Sequence, residues 1–159
     1  MKKAEEKTNA IRLLEQKKIR FTTHNYVQSG AVGGMDVACA LDENPDMVFK
    51  TLVTVGKSDK NYVFLVPVNK ELDLKKAAAA VGEKNIAMIK SKDLLPLTGY
   101  VHGGCSPVGM KKNFVTVIDS SAKEFETIMF SGGKIGFQIE TGLEELRKAI
   151  AFRLEEICK

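Results

Sequence analysis

The sequence has no tryptophan, four prolines and three cysteines, and the cysteines close off two classes of protein. No two of Cys39, Cys105 and Cys158 form a C-x-x-C pair and their number is odd, so neither a disulfide framework nor a thiol–disulfide motif is available. Free thiols in a reducing compartment are expected. His102 and Cys105 have the spacing of a ligand pair, but a structural zinc needs four ligands, and His24, Cys39 and Cys158 fall in other elements without motif spacing. No metal and no cofactor are expected. No apolar run approaches the ~18 residues of a membrane span, and "MKKAEEKTNAIRLLEQKK" is too charged for a signal peptide. The expected location is the cytoplasm, away from membranes.

What remains is an ordinary globular composition, 44% hydrophobic and 28% charged, in 159 residues. That length predicts one domain, 1–159, large enough to need no covalent staple. A net charge of +4 permits a nucleic-acid partner without announcing one. Helical spacing of Ala10, Ile11, Leu14 and Lys18 predicts a helix over 4–18, followed by a short strand in "IRFTTHNY". "MDVACALD" reads as a short helix with Met35, Ala38 and Leu41 on one face, after the glycine-rich loop "VQSGAVGG". "MVFKTLVTVG" and "YVFLVPV", joined by "KSDKN", read as a hairpin. "LDLKKAAAAVG" is a helix with Asp73 as N-cap and Gly82 past its end. "NIAMIK" is a strand, and "SKDLLPLTG" a short helix ending near Pro96. "FVTVIDS", "TIMF" and "GFQIE" are further strands, with a helical turn in "SAKEFET". A capping box, Thr141 to Glu144, predicts a last helix through Leu146, Ile150 and Leu154 to the C-terminus. The order predicts an α/β fold: a mixed, largely antiparallel sheet, partly closed and flanked by helices.

Three features carry candidate chemistry. "GYVHGGCSPVGMKK" holds four glycines, and neither G-x-x-x-x-G-K-[ST] nor G-x-G-x-x-G occurs in it. "SPVG" suits a type I turn, and Gly103-Gly104 brings bare backbone N–H groups close to whatever lies there. A tight structural loop and a ligand site both fit. Cys105 reads as a packed loop residue, since nothing local makes its thiolate. Lys50 shares a strand face with Val48, Leu52 and Thr54, so its ammonium either snorkels to water or meets an anion in a cleft. In "FSGGKIG" the glycines suit a hairpin loop, and Ser131 offers a hydroxyl at a strand end.

Taken together, "VFKTLV", "ELDLKKAAAAVG", "TGYVHGGCSPVGMKK" and "VIDSSAKEFETIMFSGGKIGFQIE", in this order, resemble the YbaK/EbsC family over nearly the whole chain. Bacterial members are Cys-tRNA(Pro) deacylases, relatives of the editing domain inserted in prolyl-tRNA synthetases. The resemblance implies an α/β fold whose mixed sheet is partly closed into a barrel, and hydrolytic removal of cysteine from Cys-tRNA(Pro), or from Cys-tRNA(Cys). It also implies a substrate-assisted step, in which the cysteinyl thiol attacks its own ester. The family lysine falls on Lys50 and the family glycine on Gly103, the expected catalytic pair. Tyr26, Thr51, Gly104, Ser106, Ser131 and Gln138 are the expected substrate-binding residues. Lys50 would hold the sugar–phosphate end of the terminal adenosine or the reacting ester. Backbone N–H groups around Gly103 would face the developing oxyanion. Gln138 and His102 depart from the residues compared in the family, an acidic and an apolar one. Lys111 and Lys112 are candidates for the acceptor stem, and prolyl-tRNA synthetase is the implied partner, with a monomer or weak dimer expected. Two alternatives stand: a deacylase for alanine or another small amino acid, and a non-catalytic tRNA- or synthetase-binding module.

Overall fold

The computed structural model describes residues 7–26, 29–31 and 34–159. Helix α1 spans Asn9–Gln16, and Thr8 caps it by accepting the Ile11 N–H at 3.2 Å. Ala10 and Leu14 are its buried face. Lys18 stands past its end with φ +58, where the Ile19 N–H closes back on the Leu14 carbonyl. The expected start of this helix, residues 4–6, lies outside the described residues.

Strand β1 (Thr22–Asn25) and helix α2 (Gly34–Ala40) follow, the intervening loop lying partly outside the described residues. In α2 the buried residues are Val37 and Ala38, whereas Met35, expected beside Ala38, is exposed. The hairpin of β2 (Phe49–Gly56) and β3 (Asn61–Pro67) forms as its alternation predicts. Helix α3 (Leu74–Val81) has Asp73 bonded to the N–H groups of Lys75 and Lys76, and Gly82 closes it in a left-handed conformation. Strand β4 (Ile86–Met88) leads into α4 (Ser91–Thr98), which runs two residues past Pro96 to Gly99. Strands β5 (Val115–Asp119), β6 (Ile128–Ser131) and β7 (Phe137–Thr141) complete the expected set.

The C-terminal helix is corrected. Helix α5 covers only Leu143–Arg147, and the chain turns back as strand β8 (Arg153–Glu155), parallel to β5. Thr141 ends β7 instead of capping the helix, because its hydroxyl donates to the Arg20 carbonyl at 2.6 Å. The open edge of β5 supplies the competing partner, and the Ile157 N–H donates to the buried Asp119 carboxylate at 3.0 Å. Pairing along that edge also carries Ile157 and Cys158 into the core beneath the sheet.

The strands form a five-stranded sheet of order β4-β2-β3-β5-β8 and a three-stranded sheet of order β1-β7-β6. The first is mixed, with β5 parallel to β3 and β8 parallel to β5; the second is antiparallel throughout. Their edges meet at a Val48–Met129 bridge, and among the described residues no second pairing joins them. Alternate residues of β2 separate two cores: Phe49 and Val53 pack with Leu65, Phe130 and Ile139, and Leu52 packs with Phe64 and Val66. No helix among the described residues is long and apolar enough to cross a membrane.

Candidate active site

Register along β2 decides where the cavity lies. The Val48 carbonyl accepts the Val68 N–H, and the Gly56 N–H donates to the Lys60 carbonyl, both at 2.8 Å. Even-numbered residues of β2 therefore bond toward β3, and odd-numbered ones face the opposite edge, where the Ile89 N–H meets the Val53 carbonyl. On that edge β4 pairs only with Thr54–Gly56, and the three-stranded sheet is bridged at Val48. Between these points the two sheets diverge around a cavity of about 410 Å³. The main chain of Thr51 lies on the edge that opens into it.

Lys50 and Thr51 enter the cavity wall from β2. Tyr26 arrives from just past β1, where its N–H extends the ladder to the Gly136 carbonyl at 2.8 Å. Ser131 and Gln138 are cross-strand partners on the same sheet face and line the same wall. His102 and Gly103 come from the glycine-rich loop. Six of the expected residues, Tyr26, Lys50, Thr51, Gly103, Ser131 and Gln138, are thus brought together by five separate segments.

The wall is mostly apolar, which makes its polar atoms informative. Tyr26 Oη, Thr51 Oγ1 and Gln138 Oε1 are buried without a hydrogen-bond partner. A buried polar atom without a partner is destabilising, so three around one cavity point to a polar occupant. Lys50 brings a cation, and no aspartate or glutamate lies among the described lining residues. The cavity therefore suits a neutral or anionic group carrying both donors and acceptors.

The glycine loop is a closed structure. The Lys111 N–H donates to the Thr98 carbonyl at its base, and the Tyr100 hydroxyl donates across it to the Val108 carbonyl at 2.6 Å. Ser106 is fully buried and its hydroxyl accepts the Val108 N–H at 3.2 Å, the bond that shapes "SPVG". The Gly104 N–H is taken by the Val101 carbonyl, whereas no protein group among the described residues takes the Gly103 N–H. Gly103 has φ +86, a conformation that favours glycine. Neither Gly104 nor Ser106 lines the cavity; both shape the loop that presents Gly103. Cys105 does line it, but burial pushes its thiol up to about 12, so it stays protonated at neutral pH.

Sequence reasoning missed the apolar half of the site. Gly34 and Val37 of α2, with Val68, line it, as do Ile89 and Leu94. Apolar lining residues carry the same sequence pattern as core residues, so only the backbone edge at Thr51 separates the two.

The Aminoacyl-tRNA editing domain family model matches residues 30–149. A protein of Enterococcus faecalis (strain ATCC 700802 / V583), provisionally named Cys-tRNA(Pro)/Cys-tRNA(Cys) deacylase EbsC, is 43% identical over 146 residues, 91% of this chain and 89% of that protein. A crystal structure provisionally described as a trans-editing enzyme for prolyl tRNA synthetase superposes with a TM-score of 0.82 at 21% identity, covering 95% of both chains. That of the hypothetical protein APE2540 superposes with a TM-score of 0.83 at 19% identity, covering 95% of this chain and 99% of the other.

Proposed function

The chain belongs to the aminoacyl-tRNA editing domain family, and from that premise we propose that it removes cysteine from Cys-tRNA(Pro), with the substrate's own thiol as nucleophile. The observation that carries this reading is the burial of the cavity's own thiol. Cys105 is buried in the wall, and burial disfavours its thiolate, so its sulfur is a poor nucleophile where the ester would lie. Ser131 accepts the Gly133 N–H, and no aspartate or glutamate among the described lining residues could activate a base for it or for Ser91.

In the proposed step the cysteinyl sulfur bonds to the ester carbonyl carbon and the bond from that carbon to the ribose oxygen breaks. The thiol proton passes to the ribose oxygen. The products are free tRNA and a cyclic thiolactone, which water opens to cysteine. The chain's contribution is positioning and charge stabilisation. Lys50 offsets negative charge at the ester or the adjoining phosphate, and the Gly103 N–H donates to the oxyanion. Tyr26, Thr51 and Gln138 offer their unpartnered atoms to the aminoacyl group, with Ser131 beside them. Exposed Lys111 and Lys112 at the base of the glycine loop suit the acceptor-stem backbone. Prolyl-tRNA synthetase would supply tRNA identity by forming a complex, in the cytoplasm.

The test charges tRNA(Pro) with cysteine, alanine and proline and follows release by the wild-type chain and a Lys50→Ala variant. Release of cysteine alone, lowered by about a hundredfold or more in the variant, is the expected result. Release of alanine at the same rate would favour the small-amino-acid deacylase. Turnover of none would favour the binding module.

A further inference from the structure

The sheet face that carries Gln138 continues away from the cavity to His24 and Glu140. His24 pairs with Gln138, and Thr22 with Glu140, so His24 and Glu140 are diagonal neighbours on that face. Nε2 of His24 lies 2.8 Å from Oε1 of Glu140, and the other Glu140 oxygen accepts the Thr127 hydroxyl. A third arm comes from beyond α2. There Asp42 turns at φ +53 and the Glu43 N–H bonds back to the Ala38 carbonyl at 2.9 Å. This closure fixes the Glu43 main chain beside the sheet face. Ligand atoms of His24, Glu43 and Glu140 all lie within 4.8 Å of one another, and all three residues are half-buried.

Two carboxylates so close repel unless something lies between them, and one imidazole offsets at most one of the two charges. Among the described residues no lysine or arginine is paired with either. We propose that His24, Glu43 and Glu140 form a divalent-metal site, with zinc as its occupant. One imidazole nitrogen with two carboxylates is a zinc donor set, whereas magnesium and calcium favour oxygen alone. An ion bound at about 2 Å from each donor needs the Glu43 carboxylate to close in and the His24–Glu140 bond to open around it. Water would complete the shell. The ion would tie the end of α2, whose Gly34 and Val37 wall the cavity, to the strands that bring Tyr26 and Gln138. Spacing in the sequence cannot show this set, because its members sit on three elements more than a hundred residues apart at the extremes (24 and 140).

The experiment titrates zinc chloride into chelator-stripped protein by calorimetry and follows the melting temperature alongside. One ion per chain and a raised melting temperature are expected. Glu43→Gln should weaken binding at least about tenfold without altering the far-UV spectrum, and His24→Ala should do the same. His102→Ala and Cys39→Ala should leave the isotherm unchanged. No binding, binding that survives Glu43→Gln, or binding lost with His102 or Cys39 would overturn the proposal.

Discussion

A Cβ added at Gly104 would stand 2.8 Å from the Cα of Lys134, closer than real Cβ atoms approach another atom. The two glycine-rich segments, one carrying Gly103 and the other following Ser131, are therefore in backbone contact. The obstructing atoms are main chain and cannot rotate away. Gly104→Ala should cost about 1–3 kcal/mol, read by urea denaturation, and should raise KM because both cavity segments are displaced. A variant with unchanged stability would show that the segments slide freely.

The unpartnered Thr51 hydroxyl yields a prediction in which stability and activity move apart. Thr51→Val keeps the shape and removes a buried group with no protein partner, so stability should hold or rise by up to about 1 kcal/mol. Deacylation should fall, and Thr51→Ser should restore much of it. Loss of stability in the valine variant would mean that the hydroxyl is satisfied within the protein.

The buried Cys105 thiol makes stability depend on alkaline pH. Its folded value, pushed by burial from an ordinary 9.0 to about 12, lies above the unfolded one. Below pH 9 both states hold the proton and its contribution is fully present. Between about pH 9 and 12 the unfolded chain ionises first, so stability falls as pH rises. Cys105→Ala should make that limb shallower in denaturation curves, the buried Cys158 thiol, pushed up to about 12 as well, keeping part of it, and should retain most of the activity. At neutral pH iodoacetamide should label the exposed Cys39 in the native protein before Cys105.

Legibility in the sequence followed how local each signal was. The β2–β3 hairpin and the Asp73 and Gly82 caps of α3 rest on neighbours in sequence, and all formed as read. Lys50, Gly103 and Ser131 stood out because a charge on an apolar strand, and glycines around a loop, break the local pattern. Leu154 misled, since an apolar residue four positions after Ile150 suits a helix equally well until the edge of β5 is known to be open. Gly104 and Ser106 belonged to the same conspicuous motif as Gly103, yet burial and backbone contact give them the loop's shape as their task. Gly34, Val37 and Val68 were invisible for the opposite reason: nothing local distinguishes a cavity wall from a core.

The central claim is that the nucleophile arrives with the substrate. The most direct measurement compares tRNA(Pro) charged with cysteine and with 2-aminobutyrate, in which a methyl group replaces the thiol at nearly equal volume. The account predicts rapid release of cysteine and release of 2-aminobutyrate no faster than in the absence of protein. Comparable release of both would contradict it and place the nucleophile in the protein or its water.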